Sequence, residues 1–166
     1  MFTIEMAPSS STKETYLELN NQLAALFSEE RDFICNAAQF SAFIMQTLPD
    51  LNWSGFYLAR ESELVLGPYV GKVACTRIPF GRGVCGKAAD TKVTQRVYDV
   101  HAFDGHIACD ALSASELVIP ILVAGSLLAV FDIDSPKVGR FSDADQVGIE
   151  SLVTTFVNST DFSWTL

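Results

Sequence analysis

Apolar positions recur with a helical period over residues 13–27, where Tyr16, Leu19, Leu23 and either Leu26 or Phe27 share one broad face. Ser28, followed by Glu29 and Glu30, reads as the start of a second helix, because acids suit the positive end of a helix dipole. Phe33, Ile34, Ala37, Phe40, Phe43, Ile44 and Leu48 give that helix a wide apolar stripe for packing on a sheet. Cys35 falls off the stripe's centre, and Pro49 with Asp50 ends the helix. The period then changes to two. Residues 52–60 and 63–70 read as a hairpin, with Trp53, Gly55 and Tyr57 on one face and Ser54, Phe56 and Leu58 on the other. Gly55 between two large aromatics leaves either a recess for an apolar ligand group or room for another backbone to approach.

Residues 72–78 read as a short strand containing Cys75. Pro79, Gly81 and Gly83 mark a turn into a short helix at about residues 84–91. Cys85 and Gly86 fall in its first turn, where a helix end can stabilise a thiolate. Residues 94–100 read as a short strand or an extended link. The stretch HAFDGHIACDALSASE, residues 101–116, has no strong period until Ser115. It holds both histidines, Cys109 and the acids Asp104, Asp110 and Glu116, and reads as an active-site loop. A β-hairpin follows at 115–122 and 127–134, joined near residues 123–126. In its second strand Phe131 and Ile133 share a face, while Asp132 and Asp134 lie on the other. Burying charge without a partner is costly, so this pair points to solvent, a metal or a ligand ammonium. Ser142 reads as an N-cap, with Asp143 and Asp145 in the first turn of a helix whose stripe is Ile149, Leu152, Val153, Phe156 and Val157. This order predicts an α+β fold, one largely antiparallel sheet covered by helices, as a single domain over 13–162 behind a leader at 1–12.

A chain of 166 residues suffices for one core, and 49% hydrophobic with 19% charged residues fits a globular fold. The net charge is -9, and the 11 Lys and Arg are spread singly. Nucleic acid and anionic membrane surfaces ask for a clustered positive footprint, so neither is an expected partner. The N-terminus carries Glu5 and no long apolar run, so it is not read as a signal peptide, and no stretch is long enough to span a bilayer. A reducing, cytoplasmic setting follows, in which permanent disulfides are disfavoured.

His101, His106, Cys109 and Asp110 are the only dense set of metal-ligand types. They lack paired CxxC knuckles or an HExxH motif, so no metal is expected. There is no GxSxG for a serine hydrolase, and a Cys109–His106 nucleophile would leave the other cysteines unexplained. Thiol redox chemistry accounts for more. One cysteine takes oxygen from an oxidised centre and becomes a sulfenic acid; a second condenses with it, and an external dithiol reopens the disulfide. Cys75 and Cys109 can meet at the sheet end. Nearby acids repel a thiolate, so their task is to hold a cationic group or deliver a proton.

NWSGFYL at 52–58, IPFGRGVCGKA at 78–88, DVHAFDGHIACDALSASELVIPI at 99–121, VFDIDSP at 130–136 and FSDAD at 141–145 together resemble the free methionine-(R)-sulfoxide reductases, which are single GAF-type domains. The resemblance spans almost the whole chain. It implies a GAF-like fold and reduction of free L-methionine-(R)-sulfoxide, with no cofactor and with thioredoxin or a similar dithiol as reductant. Carried over by motif, Cys109 is the nucleophile, Cys75 the main resolving cysteine and Cys85 a further thiol for exchange. Glu116, Asp132 and Asp134 match acids that bind the amino group and polarise the sulfoxide oxygen. Trp53 and Tyr57 match an aromatic wall around the substrate methyl. Backbone N–H groups of the 103–110 loop are the expected partners of the substrate carboxylate. Apolar helix surface left after covering the sheet allows a homodimer. The rival expectation is a small-molecule-binding GAF sensory module without catalysis.

Overall fold

Two apolar faces on one antiparallel sheet organise the chain. The computed structural model describes residues 13–103 and 112–163, so the expected leader and loop residues Asp104, His106, Cys109 and Asp110 lie outside the described residues. The sheet is built from β1 (Trp53–Arg60), β2 (Glu63–Gly71), β3 (Arg77–Pro79), β4 (Gln95–Val97), β5 (Ser115–Val123) and β6 (Ser126–Ser135). The strands lie in the order β3-β2-β1-β6-β5-β4, every neighbouring pair antiparallel. Among the described residues, no helix is long and apolar enough to cross a membrane.

Period two sorts the side chains of the central strands as the sequence predicts. Phe56 of β1, Leu117, Ile119 and Ile121 of β5, and Phe131 and Ile133 of β6 face a core closed by α1 (Lys13–Leu26), α2 (Phe33–Thr47) and α4 (Asp143–Asn158). Phe33, Phe40, Phe56, Phe131 and Phe156 interlock there, with Phe40 and Phe131 ring centroids 4.7 Å apart. Trp53, Tyr57, Val118 and Val130 face the other way, under α3 (Gly83–Thr91), which adds Val84, Cys85, Ala88 and Ala89.

Three local expectations need correction. The second helix starts at Phe33, not Ser28: Asp32 caps it by accepting from the Cys35 N–H at 2.9 Å. The Glu30 carboxylate accepts from the N–H groups of Arg31 and Asp32, which holds that segment outside the helix. Cys75 is not on a strand but in the connection between β2 and β3, because pairing with β2 extends only over Arg77–Pro79. The 94–100 link is strand only at β4, after which Val100–Ala102 forms a 3-10 turn capped by Asp99. The Ser142 cap is as expected and forms a full capping box with Asp145. Ala124 and Gly125, both at positive φ, make a two-residue turn between β5 and β6, with backbone twist suited to a tight hairpin.

Candidate active site

The sheet face under α3 gathers the acids and aromatics of the sequence reading. One cross-strand row runs Trp53, Asp134, Glu116 and Val97; the next runs Gly55, Asp132 and Val118. All residues of a row share one face, so register sets which side chains turn toward α3, and a one-residue slip of β6 would send Asp132 and Asp134 into the phenylalanine core. The neck of the 101–112 loop closes beside this row: the Val100 N–H donates to the Ala114 carbonyl at 2.9 Å, and Ala114 N–H to that of Ser135 at 2.7 Å.

Above the rows, the first turn of α3 brings Cys85 down onto the sheet. Its thiol lies 3.8 Å from Glu116 Oε1. Cys85, Glu116 and Asp132 are all buried, with one donor atom of each within 4.8 Å of the others. Burial is the main cause of the electrostatics here. It pushes the Glu116 carboxyl well above the usual carboxylate range, and the charges of Asp132 and Asp134 push it further. Burial also raises Asp132 to about 7, against hydrogen bonds with Cys85 and Glu116 that lower it. Both shifts favour the neutral carboxyl forms of this coupled pair. The Cys85 thiol moves up as well, through burial and then the charges of Asp132 and Glu116. This reverses the expectation of a thiolate stabilised by the helix end, because desolvation and two acids outweigh a partial positive charge.

The aromatic wall stands on β1. Trp53 stacks on Tyr57 with centroids 5.8 Å apart, and on Tyr69 of β2 at 5.2 Å. The expected recess beside Gly55 is filled: a Cβ there would lie 2.2 Å from Tyr69 Cβ and 2.7 Å from the Trp53 ring. Of the two openings that Gly55 left in the sequence, the structure takes close packing of the neighbouring strand. Trp53 Nε1 donates to the Lys72 carbonyl at 3.2 Å, and the Tyr57 hydroxyl to the Cys75 carbonyl at 3.0 Å. Burial, with Asp132 the next cause, raises the Tyr57 phenol further from ionisation, so it stays a donor. The wall thus ties down the connection that carries Cys75, which is half-buried and disulfide-bonded. Cys85 and the exposed Cys35 are free thiols.

The expected site residues Trp53, Tyr57, Cys85, Glu116, Asp132 and Asp134 therefore share one side of one sheet, with Cys75 at its edge; Cys109 is outside the described residues. Tyr69 was missed, although its place directly opposite Gly55 in the β1–β2 ladder was readable from the hairpin. The direct meeting of Cys85 with the acids was missed too, since nothing local relates residue 85 to 116 and 132.

Residues 36–158 match the family profile of the GAF domain, the class to which this antiparallel sheet with helices on both faces belongs. The chain is 51% identical over 140 residues to the free methionine-R-sulfoxide reductase of Escherichia coli K12, covering 84% of this chain and 85% of that protein. It is 42% identical over 153 residues to the Saccharomyces cerevisiae free methionine-R-sulfoxide reductase, covering 87% and 85%. The X-ray structure of free methionine-R-sulfoxide reductase from Neisseria meningitidis, in complex with its substrate, superposes with a TM-score of 0.90 at 36% identity, over 96% of this chain and 95% of that one. The chain belongs to the free methionine-R-sulfoxide reductases of the GAF-domain family.

Proposed function

We propose that the protein reduces free L-methionine-(R)-sulfoxide to L-methionine through a cysteine sulfenic acid and an intramolecular disulfide. The observation that carries this reading is the burial of Glu116 and Asp132, two carboxyls pushed up toward their neutral form, beside the Trp53–Tyr57 wall. A sulfoxide is a weak electrophile until its oxygen accepts a hydrogen bond, and a carboxyl kept neutral by burial is a donor suited to that.

In the first step the substrate ammonium is held by Asp134 and its acidic neighbours, the methyl group lies against Trp53 and Tyr57, and a protonated carboxyl donates to the sulfoxide oxygen. The Cys109 sulfur attacks the sulfoxide sulfur. The protonated oxygen passes to the Cys109 sulfur as the substrate S–O bond and the transient S–S bond break, so that methionine leaves and Cys109 is a sulfenic acid. The Cys75 thiol then attacks that sulfur, and water leaves as the Cys75–Cys109 disulfide forms. Support for this pairing comes from counting: Cys75 is disulfide-bonded, Cys35 and Cys85 are free, and the chain has four cysteines. Thioredoxin or a similar dithiol returns both thiols and is itself oxidised, with Cys85 as a further thiol for exchange. A reductant of that kind belongs to a reducing, cytoplasmic compartment. Backbone N–H groups of the 103–110 loop hold the substrate carboxylate, so methionine sulfoxide inside a peptide is refused. Leu17 on α1 and Val147 on α4 are exposed on the outer helix layer, and a homodimer covers them.

The deciding experiment incubates the protein with each separated epimer of free methionine sulfoxide and a dithiol, and measures methionine. Product from the R epimer alone is expected. Ligand binding with no methionine from either epimer would leave a sensory module instead.

A further inference from the structure

Cys85 and its two acidic neighbours differ from a pocket built for an ammonium group alone. An ammonium is served by carboxylates and gains nothing from a sulfur. Here a thiol comes from the first turn of α3, one carboxyl from β5 and another from β6, so three donors converge from three rigid elements. The α3 turn is closely seated: a Cβ on Gly86 would lie 2.4 Å from the Pro79 carbonyl oxygen. Asp132 is only 6% exposed, and its Oδ1 is buried with no hydrogen-bond partner among the described residues. The distances also fit a small cation. With zinc–sulfur and zinc–oxygen bonds of about 2.3 and 2.1 Å, tetrahedral geometry separates the two donors by about 3.5 Å. Cys85 Sγ and Glu116 Oε1 are 3.8 Å apart.

We propose that Cys85, Glu116 and Asp132 form a facultative site for a thiophilic divalent cation of the zinc class, and that its occupation shuts the substrate pocket. One thiolate and two carboxylates supply a mixed soft and hard donor set, which suits zinc and cadmium better than magnesium or calcium. The thiol proton of Cys85 and the carboxyl protons that burial favours on Glu116 and Asp132 pass to solvent as the metal–ligand bonds form. Water completes the fourth position. A cation there occupies the carboxyl that would donate to the sulfoxide oxygen and repels the substrate ammonium. The inhibition rests on the reductase reading; the binding does not. Cys85, beyond its part in exchange, thus makes the pocket sensitive to free metal.

The test uses the full-length protein with Cys75 in its disulfide and no added reductant, titrated with cadmium chloride alone. The readout is the ultraviolet charge-transfer band of a cadmium–thiolate bond. One equivalent is expected to bind, and zinc chloride to displace it. Cys85→Ser removes the band, Glu116→Gln and Asp132→Asn each weaken binding at least tenfold, and Cys35→Ser leaves it unchanged. Circular dichroism checks that each variant is folded, and the two carboxyl variants carry the test where Cys85→Ser does not fold. No band in the wild type, a band that survives Cys85→Ser or one lost in Cys35→Ser would overturn the site. Zinc inhibition that methionine sulfoxide does not relieve would overturn the shut pocket. Absence of reductase activity with the cadmium band intact would sink only the functional reading.

Discussion

The Tyr57 hydroxyl donates to the Cys75 carbonyl at 3.0 Å, so one residue of the aromatic wall also holds the segment bearing the proposed resolving cysteine. Cys75 precedes the residues of β3 that pair with β2, Arg77–Pro79. Tyr57→Phe keeps the ring and removes the tether. A hydrogen bond of this kind is worth about 1 kcal/mol, or about fivefold in a rate that depends on the tethered geometry. Closure of the disulfide, followed by trapping the sulfenic acid with a nucleophilic probe, is expected to slow by that factor. Methionine release in a single turnover should fall less. Equal losses in both would show that the hydroxyl serves only substrate binding.

The cysteines are expected to separate by step. Cys109→Ser is expected to abolish methionine formation even in a single turnover, because the proposed mechanism gives the attack on the sulfoxide to that sulfur. Cys75→Ser spares that first turnover and stops recycling by thioredoxin. Cys35→Ser changes neither, since Cys35 lies exposed on α2, on the opposite side of the sheet. Quenched-flow measurement of methionine alongside steady-state turnover distinguishes the three.

Asp132 makes the fold sensitive to pH in an unusual direction. Its carboxyl rises from 3.8 in the unfolded chain to about 7 in the folded one, mainly through burial. Between those values the native state binds more protons than the unfolded state, so stability falls as pH rises. The contribution is fully present below pH about 4 and lost as pH passes about 7; at about 1.4 kcal/mol per unit it amounts to about 4 kcal/mol. Glu116, raised for the same reason, adds in the same direction. Denaturant midpoints measured from pH 5 to 8 should decline in the wild type and decline less in Asp132→Asn. A midpoint that rises over this range would contradict the buried neutral pair.

Much of this arrangement was legible in the chain because it is periodic. Alternation alone separated Trp53 and Tyr57 from Phe56, and Asp132 from Phe131 and Ile133, and each group lies on its own side of the sheet. The Ser142 cap was equally readable, its signal being three residues long. Features that depend on competition between neighbours were not. Ser28 and Asp32 are both good caps, and the choice falls to Asp32 because the Glu30 carboxylate takes two N–H groups ahead of it. The thiol of Cys85 was misjudged for a similar reason: a helix end is a local signal, whereas the desolvation and the two acids that outweigh it arrive from β5 and β6.

The core under the three long helices should be as sensitive as its packing suggests. Phe156 is fully buried and touches the rings of Phe27, Phe33, Phe40, Phe56 and Phe162. Phe156→Ala removes all five contacts and leaves a cavity between α4 and the sheet, at a cost of about 4 kcal/mol. Urea unfolding should show the midpoint fall without a change of slope. The site residues lie across the sheet, so activity per folded molecule should be largely retained.

Gly55 links stability to the site more directly. A methyl group there would meet Tyr69 Cβ at 2.2 Å, Tyr69 Cα at 2.8 Å and the Trp53 ring at 2.7 Å. Two of these belong to the paired strand and its first side-chain atom, which cannot swing away, so β2 must shift or Trp53 must leave the stack. Gly125 offers the contrast: it sits at φ +81° in the β5–β6 turn with nothing within 4 Å of a built Cβ. Gly125→Ala should therefore cost only the left-handed backbone penalty, about 1 kcal/mol, with activity intact. Gly55→Ala should cost about 3 kcal/mol or more and, in whatever fraction folds, raise KM by displacing the indole proposed to bear the substrate methyl. Denaturant titration and steady-state kinetics on the two variants test this together. Equal, small losses in both would mean that β1 and β2 are free to separate at Gly55, and that Trp53 does not depend on it for its place in the wall.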